Sequence, residues 1–323
     1  MENKYSNKYL IGTGIGLQDV DGLKNSAYFL SQADRYVKGE ISLDELDKII
    51  SSYYENKPNE DERTEEADIV SNRIAQIISD DSFTFTVGQL ISIHKRLFEG
   101  VFTHAGKLRD YNFIKREWVL DGRSVVYGDY HELRDILEYD FESERSFKYA
   151  DLSEDKVIEH LANFVSNLWQ IHAFQEGNTR ATAVFFIKYL RSLGYDVTND
   201  VFAKNAWFFR NALVRANFKF VRKGIYDDKK YIIVFLRNLL LGEHNALRNR
   251  DLRISIDSNN NKTTSKEMRV LELIKANPKI TIDELANRIG VSPRTIDSVI
   301  ALLSKENKIR RINGKRYGYW EIL

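Results

Sequence analysis

The chain has 323 residues, 43% hydrophobic and 29% charged, with a formal net charge of +1. That balance fits a globular protein of roughly two or three domains and argues against a wholesale nucleic-acid or membrane binder. It contains no cysteine, which excludes disulfides and thiolate chemistry and leaves any metal to oxygen or nitrogen ligands.

No apolar run approaches about 18 residues. The start, Met1-Glu2-Asn3-Lys4-Tyr5, is polar, so a cytoplasmic protein with no membrane partner is expected. Residues 1–60 read as a small helical module. Asn25 to Val37 is amphipathic and ends at Gly39, and Ser42 with Glu45 forms a capping box for a helix through Leu46, Ile49 and Ile50. Residues 61–254 form the main body, opening with helices around Ile69 to Ile78 and Val87 to Phe98. From Tyr111 to Tyr127 the pattern turns β-like. Trp118-Val119-Leu120 and Val125-Val126-Tyr127 flank Asp121-Gly122, a strong hairpin signal. Ile158, Leu161, Val165, Leu168 and Ile171 then recur at helical spacing, as do Val184, Ile187 and Leu190 further on.

Between those two helices lies His172-Ala-Phe174-Gln-Glu176-Gly177-Asn178-Thr179-Arg180. A loop that feeds a helix N-terminus presents free N–H groups and the positive end of the helix dipole, a natural seat for phosphate. Arg180 can pair with phosphate oxygens, Glu176 can hold a divalent metal, and His172 is placed to take a proton from a hydroxyl. The constellation asks for a nucleotide.

These nine residues resemble the motif of the Fic family, His-x-Phe-x-(Asp/Glu)-Gly-Asn-Gly-Arg-x-x-Arg, with Thr179 replacing its second glycine and Ala183 its second arginine. His94 to Phe98 and Ala105 to Arg109 resemble two further stretches of that family. The resemblance implies a mainly α fold, a Fic-type helical bundle with a β-hairpin flap. It implies transfer of AMP from ATP, with Mg2+, to a hydroxyl side chain of a target protein, with self-modification. In that role His172 is the general base, Glu176 the Mg2+ ligand, the backbone of Gly177, Asn178 and Thr179 the anion hole, and Arg180 the phosphate grip. Asn211 and Asn217, among aromatics of residues 205–217, would contact the nucleotide, and Trp118, Val119, Val125 and Val126 of the flap would dock the target by strand addition. Ser51, Glu55 and Asn56 resemble the inhibitory Ser/Thr-x-x-x-Glu-Gly/Asn element of the subgroup that carries it N-terminally. With Ala183 in place of its usual arginine partner, Glu55 would have to act through repulsion of the triphosphate or through Asn211 or Arg215.

Residues 255–265 read as a polar linker, and residues 266–323 as a winged helix-turn-helix domain. Helices from Met268, Thr281 and Ser292 precede a hairpin wing on either side of Asn313-Gly314. From Lys262 onward 13 basic residues stand against 7 acidic ones, and Arg294, Arg310, Arg311 and Lys315 suit DNA phosphates. A protein partner fits the same module. Two other functional classes stay open: transfer of a phosphoryl or different nucleotidyl group, and a DNA-binding regulator that uses the Fic-like domain as a nucleotide sensor. Self-association is left open as well.

Overall fold

The computed structural model describes residues 4–56, 61–255, 264–306, 308–312 and 318–323, and the chain divides into two units, residues 1–254 and 255–323. Among the described residues the protein is mainly α, with one two-stranded sheet.

The first unit begins with α1 (Asn7–Gly16), α2 (Ala27–Val37), α3 (Leu43–Glu55) and α4 (Glu62–Ser79). Each opens on a side chain that accepts from an otherwise unpaired N–H: Ser6, Ser26, Ser42 and Asp61. Ser42 and Glu45 close the expected reciprocal box. Helices α1 and α4 pack backbone to backbone at Gly14, where a Cβ would stand 2.2 Å from the Ser71 carbonyl oxygen. Asp68 of α4 is fully buried and accepts from Asn25 Nδ2 (3.0 Å), Ser26 N–H (3.0 Å), Ser26 Oγ (2.5 Å) and Tyr54 Oη (2.7 Å). Those donors offset the cost of burying the carboxylate, although burial still pushes its pKa up. The network fixes α2, the end of α3 and α4 to one another.

The body continues with α5 (Val87–Phe98), α6 (Leu133–Ser146), α7 (Glu154–Ile171), α8 (Asn178–Ser192), α9 (Val201–Ala216) and α10 (Lys230–Leu241). Helix α8 is the centre, buried without a break from Asn178 to Leu190 and packed by α4, α5 and α7. Its last turns reach out to end α4: Lys188 Nζ donates to the Ile77 carbonyl (3.0 Å) and to that of Asp80, and Arg191 Nη1 to that of Ile78 (2.5 Å). Cations there also oppose the negative end of the α4 dipole.

Residues 111–127 depart from the expected hairpin. Asp121 (φ 56°) and Gly122 (φ 81°) do reverse the chain, and the Glu117 N–H donates to the Arg123 carbonyl (2.8 Å). The flanks, however, form no strands; Trp118–Leu120 is a single 3-10 turn. The Val119 carbonyl instead accepts from the Ile254 N–H (2.9 Å), and the Glu117 carboxylate pairs with Arg210 of α9. Val119 and Val125 are consequently core residues, while Trp118 (48%) and Val126 (80%) face solvent. A docking edge built from all four is not available in this conformation.

The second unit holds α11 (Thr264–Ala276), α12 (Ile282–Ile289), α13 (Pro293–Lys305), β1 (Ile309–Ile312) and β2 (Tyr319–Ile322). Thr281 and Glu284 box the start of α12, Gly290 ends it in the left-handed region, and Ser292 caps α13. The strands pair antiparallel, Ile309 opposite Ile322 and Ile312 opposite Tyr319. Val270, Ile274, Leu285, Ile296, Leu303 and Trp320 share one core, with the Trp320 indole donating to the Ile280 carbonyl (3.2 Å). Among the described residues no helix is long and apolar enough to cross a membrane.

Candidate active site

Helix α7 ends at Ile171, and His172 takes the left-handed conformation (φ 52°, ψ 55°) that turns the chain out of the helix. Five residues later Gly177 (φ 72°) starts α8, and no side chain caps that N-terminus. A Cβ on Gly177 would meet the Phe98 ring at 2.3 Å, so glycine is required by both dihedral and space. The N–H groups of Asn178, Thr179 and Arg180 precede the first intrahelical bond, from Ala181 N–H to the Gly177 carbonyl (2.9 Å). An uncapped, dipole-favoured cluster of donors is thus set within a few residues of the histidine.

His172 is 3% exposed, and neither ring nitrogen has a hydrogen-bond partner. Phe113, Tyr127 and Trp169 surround the ring, at centroid distances of 5.5, 4.3 and 5.3 Å. Burial holds its pKa well below the usual imidazole value, and the charges of Lys115, Arg210 and Arg109 push the same way. Both effects favour the neutral ring.

The other expected residues divide sharply. Phe174 is buried and stacks on His94 (3.8 Å). The Asn178 side chain turns back on the loop, accepting from the Phe174 N–H (2.8 Å) and donating to its carbonyl (2.6 Å). The Thr179 hydroxyl accepts from the Trp169 indole (2.9 Å) and ties α8 to α7. The backbone N–H of both residues stays available to an anion. Glu176 keeps a half-exposed carboxylate, with Lys115 Nζ 3.8 Å away.

Arg180 has other partners in this structure. It is 1% exposed and stacks on Phe98 (4.7 Å), with Glu66 Oε1 at 2.6 Å, Asp21 Oδ2 at 3.0 Å and Gln18 Oε1 at 3.0 Å. In this conformation the guanidinium is a buried joint to the N-terminal helices. Glu55 is not among its partners; Ser51, Glu55 and Asn56 are exposed at the end of α3. Asn211 donates to Asn249 Oδ1 (2.8 Å), and Asn217 to the carbonyls of Ser166 (3.0 Å) and Leu213 (2.9 Å), so both amide groups serve packing around α9. In the second unit Arg294 is exposed on the first turn of α13, Arg310 pairs with Glu321, Arg311 lies over Trp320 (4.6 Å), and Lys315 falls outside the described residues.

Three residues to which the sequence attached no role complete the site. His94 Nδ1 accepts from the Gly106 N–H (2.9 Å), so Nε2 carries the proton it shares with the Glu176 carbonyl (3.0 Å). Arg109 donates to the His172 carbonyl (2.8 Å). Arg210 grips Glu117 through both carboxylate oxygens (2.8 and 3.0 Å), rooting the loop that covers His172. The only signal was the resemblance of the stretches containing His94 and Arg109.

Burial holds the His94 pKa down to about 4, against 6.5 for the exposed group. Folding therefore favours its neutral form. That stability is complete above 6.5 and lost as pH falls toward 4, by about 3 kcal/mol. His94→Gln, which retains a donor and an acceptor, is expected to remove this share of the acid sensitivity. Urea unfolding of both proteins across the range checks it; parallel curves would show that His94 does not titrate with unfolding.

An internal helix whose uncapped start meets a neutral buried imidazole defines a helix–loop–helix domain with an anion cradle. Comparison with known proteins gives the family: residues 84–190 match the Fic/DOC family and residues 266–320 an HTH domain, so the chain carries a Fic domain followed by a C-terminal HTH domain. The curated "Probable protein adenylyltransferase Fic" of Salmonella typhimurium and that of Escherichia coli are each 25% identical over 118 residues, 36% of this chain. The match spans 56% of the length of each of these relatives. Among solved structures, the Bartonella tribocorum effector BepC with bound AMPPNP aligns at TM-score 0.40 and 18% identity, covering 52% of this chain and 81% of its own. A Fic family protein from Desulfovibrio desulfuricans aligns at 0.44 and 11%, covering 98% and 87%.

Proposed function

We propose that the chain transfers AMP from ATP to a Ser, Thr or Tyr hydroxyl of a target protein. One observation carries this reading: His172 keeps both ring nitrogens buried and unpartnered beside an uncapped helix N-terminus. Orphaned polar atoms cost stability and are retained where function needs them. The acceptor hydroxyl gives its proton to His172, its oxygen bonds the α-phosphorus, and the bond to the β-phosphate oxygen breaks to release pyrophosphate. Backbone N–H groups of Gly177 to Arg180 would stabilise the charge on the phosphoryl oxygens.

Mg2+ fits this donor set. Among the described residues no group of three or more potential ligands gathers, but an ion carried by a triphosphate needs only one or two carboxylates from the protein. The half-exposed Glu176 would hold it, and the bound ion would neutralise phosphate charge. Self-modification and a restraining role for Ser51, Glu55 and Asn56 belong to the same reading. For the HTH domain we infer a DNA or protein partner met through the exposed side of α13 around Arg294.

Incubating the purified chain with Mg-ATP labelled at the α- or γ-phosphate tests the chemistry. Protein-bound α-label without γ-label is expected. γ-label would make it a phosphoryl transferase, and neither label, with acceptor protein supplied, would refute transfer.

A further inference from the structure

We propose that Arg109 is a positioning residue, a five-point clamp that holds the proposed base and both ends of its covering loop in one geometry. The guanidinium is 4% exposed, and each of its five N–H groups has an acceptor. Nε donates to the His172 carbonyl (2.8 Å). Nη1 donates to the Tyr111 carbonyl (2.7 Å) and Asn112 Oδ1 (3.1 Å), and Nη2 to the carbonyls of Ile171 (3.3 Å) and Gly128. Ile171 and His172 end α7, while Tyr111 and Gly128 are the two ends of the loop whose Phe113 and Tyr127 enclose the imidazole.

The clamp is held by dipoles, with the Asp129 carboxylate adding attraction at longer range. Among the described residues no carboxylate lies within ion-pair distance of Arg109, so its charge rests on backbone carbonyls, including those at the negative end of the α7 dipole. Its own N–H donates to the Ala173 carbonyl (2.9 Å), the residue after the base, and its plane lies over Phe113 (5.3 Å). The left-handed turn at His172 aims the ring, and Arg109 bonds the peptides on both sides of that turn. Lysine carries the charge but only three donors on a point-like head, so it cannot span Tyr111, Gly128, Ile171 and His172 together. Neither Gln18, Asp21 nor Glu66, which hold Arg180, takes part; the two arginines secure different halves of the motif.

The inference rests on His172 being the base of the proposed transfer, and its test separates the two. In the full chain, Arg109→Lys and Arg109→Gln are assayed for α-label transfer at varied ATP, with nucleotide affinity by calorimetry and the His172 ring followed by NMR. A sub-ångström to ångström displacement of a reacting group costs on the order of 100-fold, so kcat is expected to fall by about that factor in both variants while nucleotide affinity changes by less than about twofold. The His172 ring resonance is expected to move or broaden, whereas those of His131 and His244 stay in place. Transfer near the wild-type rate, or an equal loss of kcat and nucleotide affinity, would overturn the clamp. If wild type transfers nothing, the reading of function fails and the His172 resonance alone decides: an unchanged signal in Arg109→Lys removes the positioning role.

Discussion

His172→Leu is expected to lower transfer by about 10²–10⁴-fold, the range a positioned general base contributes, without lowering the melting temperature. The two expectations share one cause. Both nitrogens of the native ring are buried and unpartnered among Phe113, Tyr127 and Trp169. An unmet buried polar group costs about 1–3 kcal/mol, which an aliphatic side chain of similar volume does not incur. Histidine tolerates the left-handed backbone (φ 52°) better than leucine, which takes back only part of that gain. Activity and stability should therefore part company, as they do where a residue is kept for chemistry. Because burial lowers the imidazole pKa, the base stays unprotonated to lower pH, and the acid limb of the wild-type rate profile is expected below the ordinary value of 6.5. A variant that melts well below wild type would mean the ring nitrogens have partners in solution; retained transfer would remove His172 from the reaction.

What could be read along the chain was what local physics determines. Ser42 with Glu45, Thr281 with Glu284, and Ser292 before Pro293 gave helix starts where they occur, since a cap bonds within three residues. The apolar run from Ala183 to Leu190 marked α8 as a helix. The motif put a histidine beside a helix start because both lie within nine residues. Local pattern did not show partners that are remote. Asp121-Gly122 made its turn, but the Val119 carbonyl of the flanking segment is taken by the remote Ile254 N–H rather than by a facing strand. Arg180 read as a phosphate grip, and its partners Glu66 and Gln18, 114 and 162 positions distant, are invisible to local pattern. Asn211 and Asn217 suited an adenine by type, yet their amides bond Asn249 and the carbonyls of Ser166 and Leu213. His94 is a similar case: its tie to the Glu176 carbonyl spans 82 positions.

Arg180→Met should cost about 3–5 kcal/mol of stability, the effect of removing one member of a buried ion cluster and leaving its partners charged. Glu66 and Asp21 have side chains only 14% and 26% exposed, and both approach the 2%-exposed guanidinium within 3.0 Å. Methionine keeps the volume against Phe98 but leaves two carboxylates close together with no cation. Adding Glu66→Gln to Arg180→Met is expected to recover part of the loss, because one unpaired charge disappears. Urea unfolding of the single and double variants measures both effects. A phosphate grip would behave differently: the melt would hardly change, and the Michaelis constant for ATP would rise instead. The N-terminal helices and the motif share this arginine, so whichever outcome appears assigns it to the joint or to the nucleotide. A large stability loss with unaltered nucleotide affinity would leave the anion to the backbone of Gly177 to Arg180 alone.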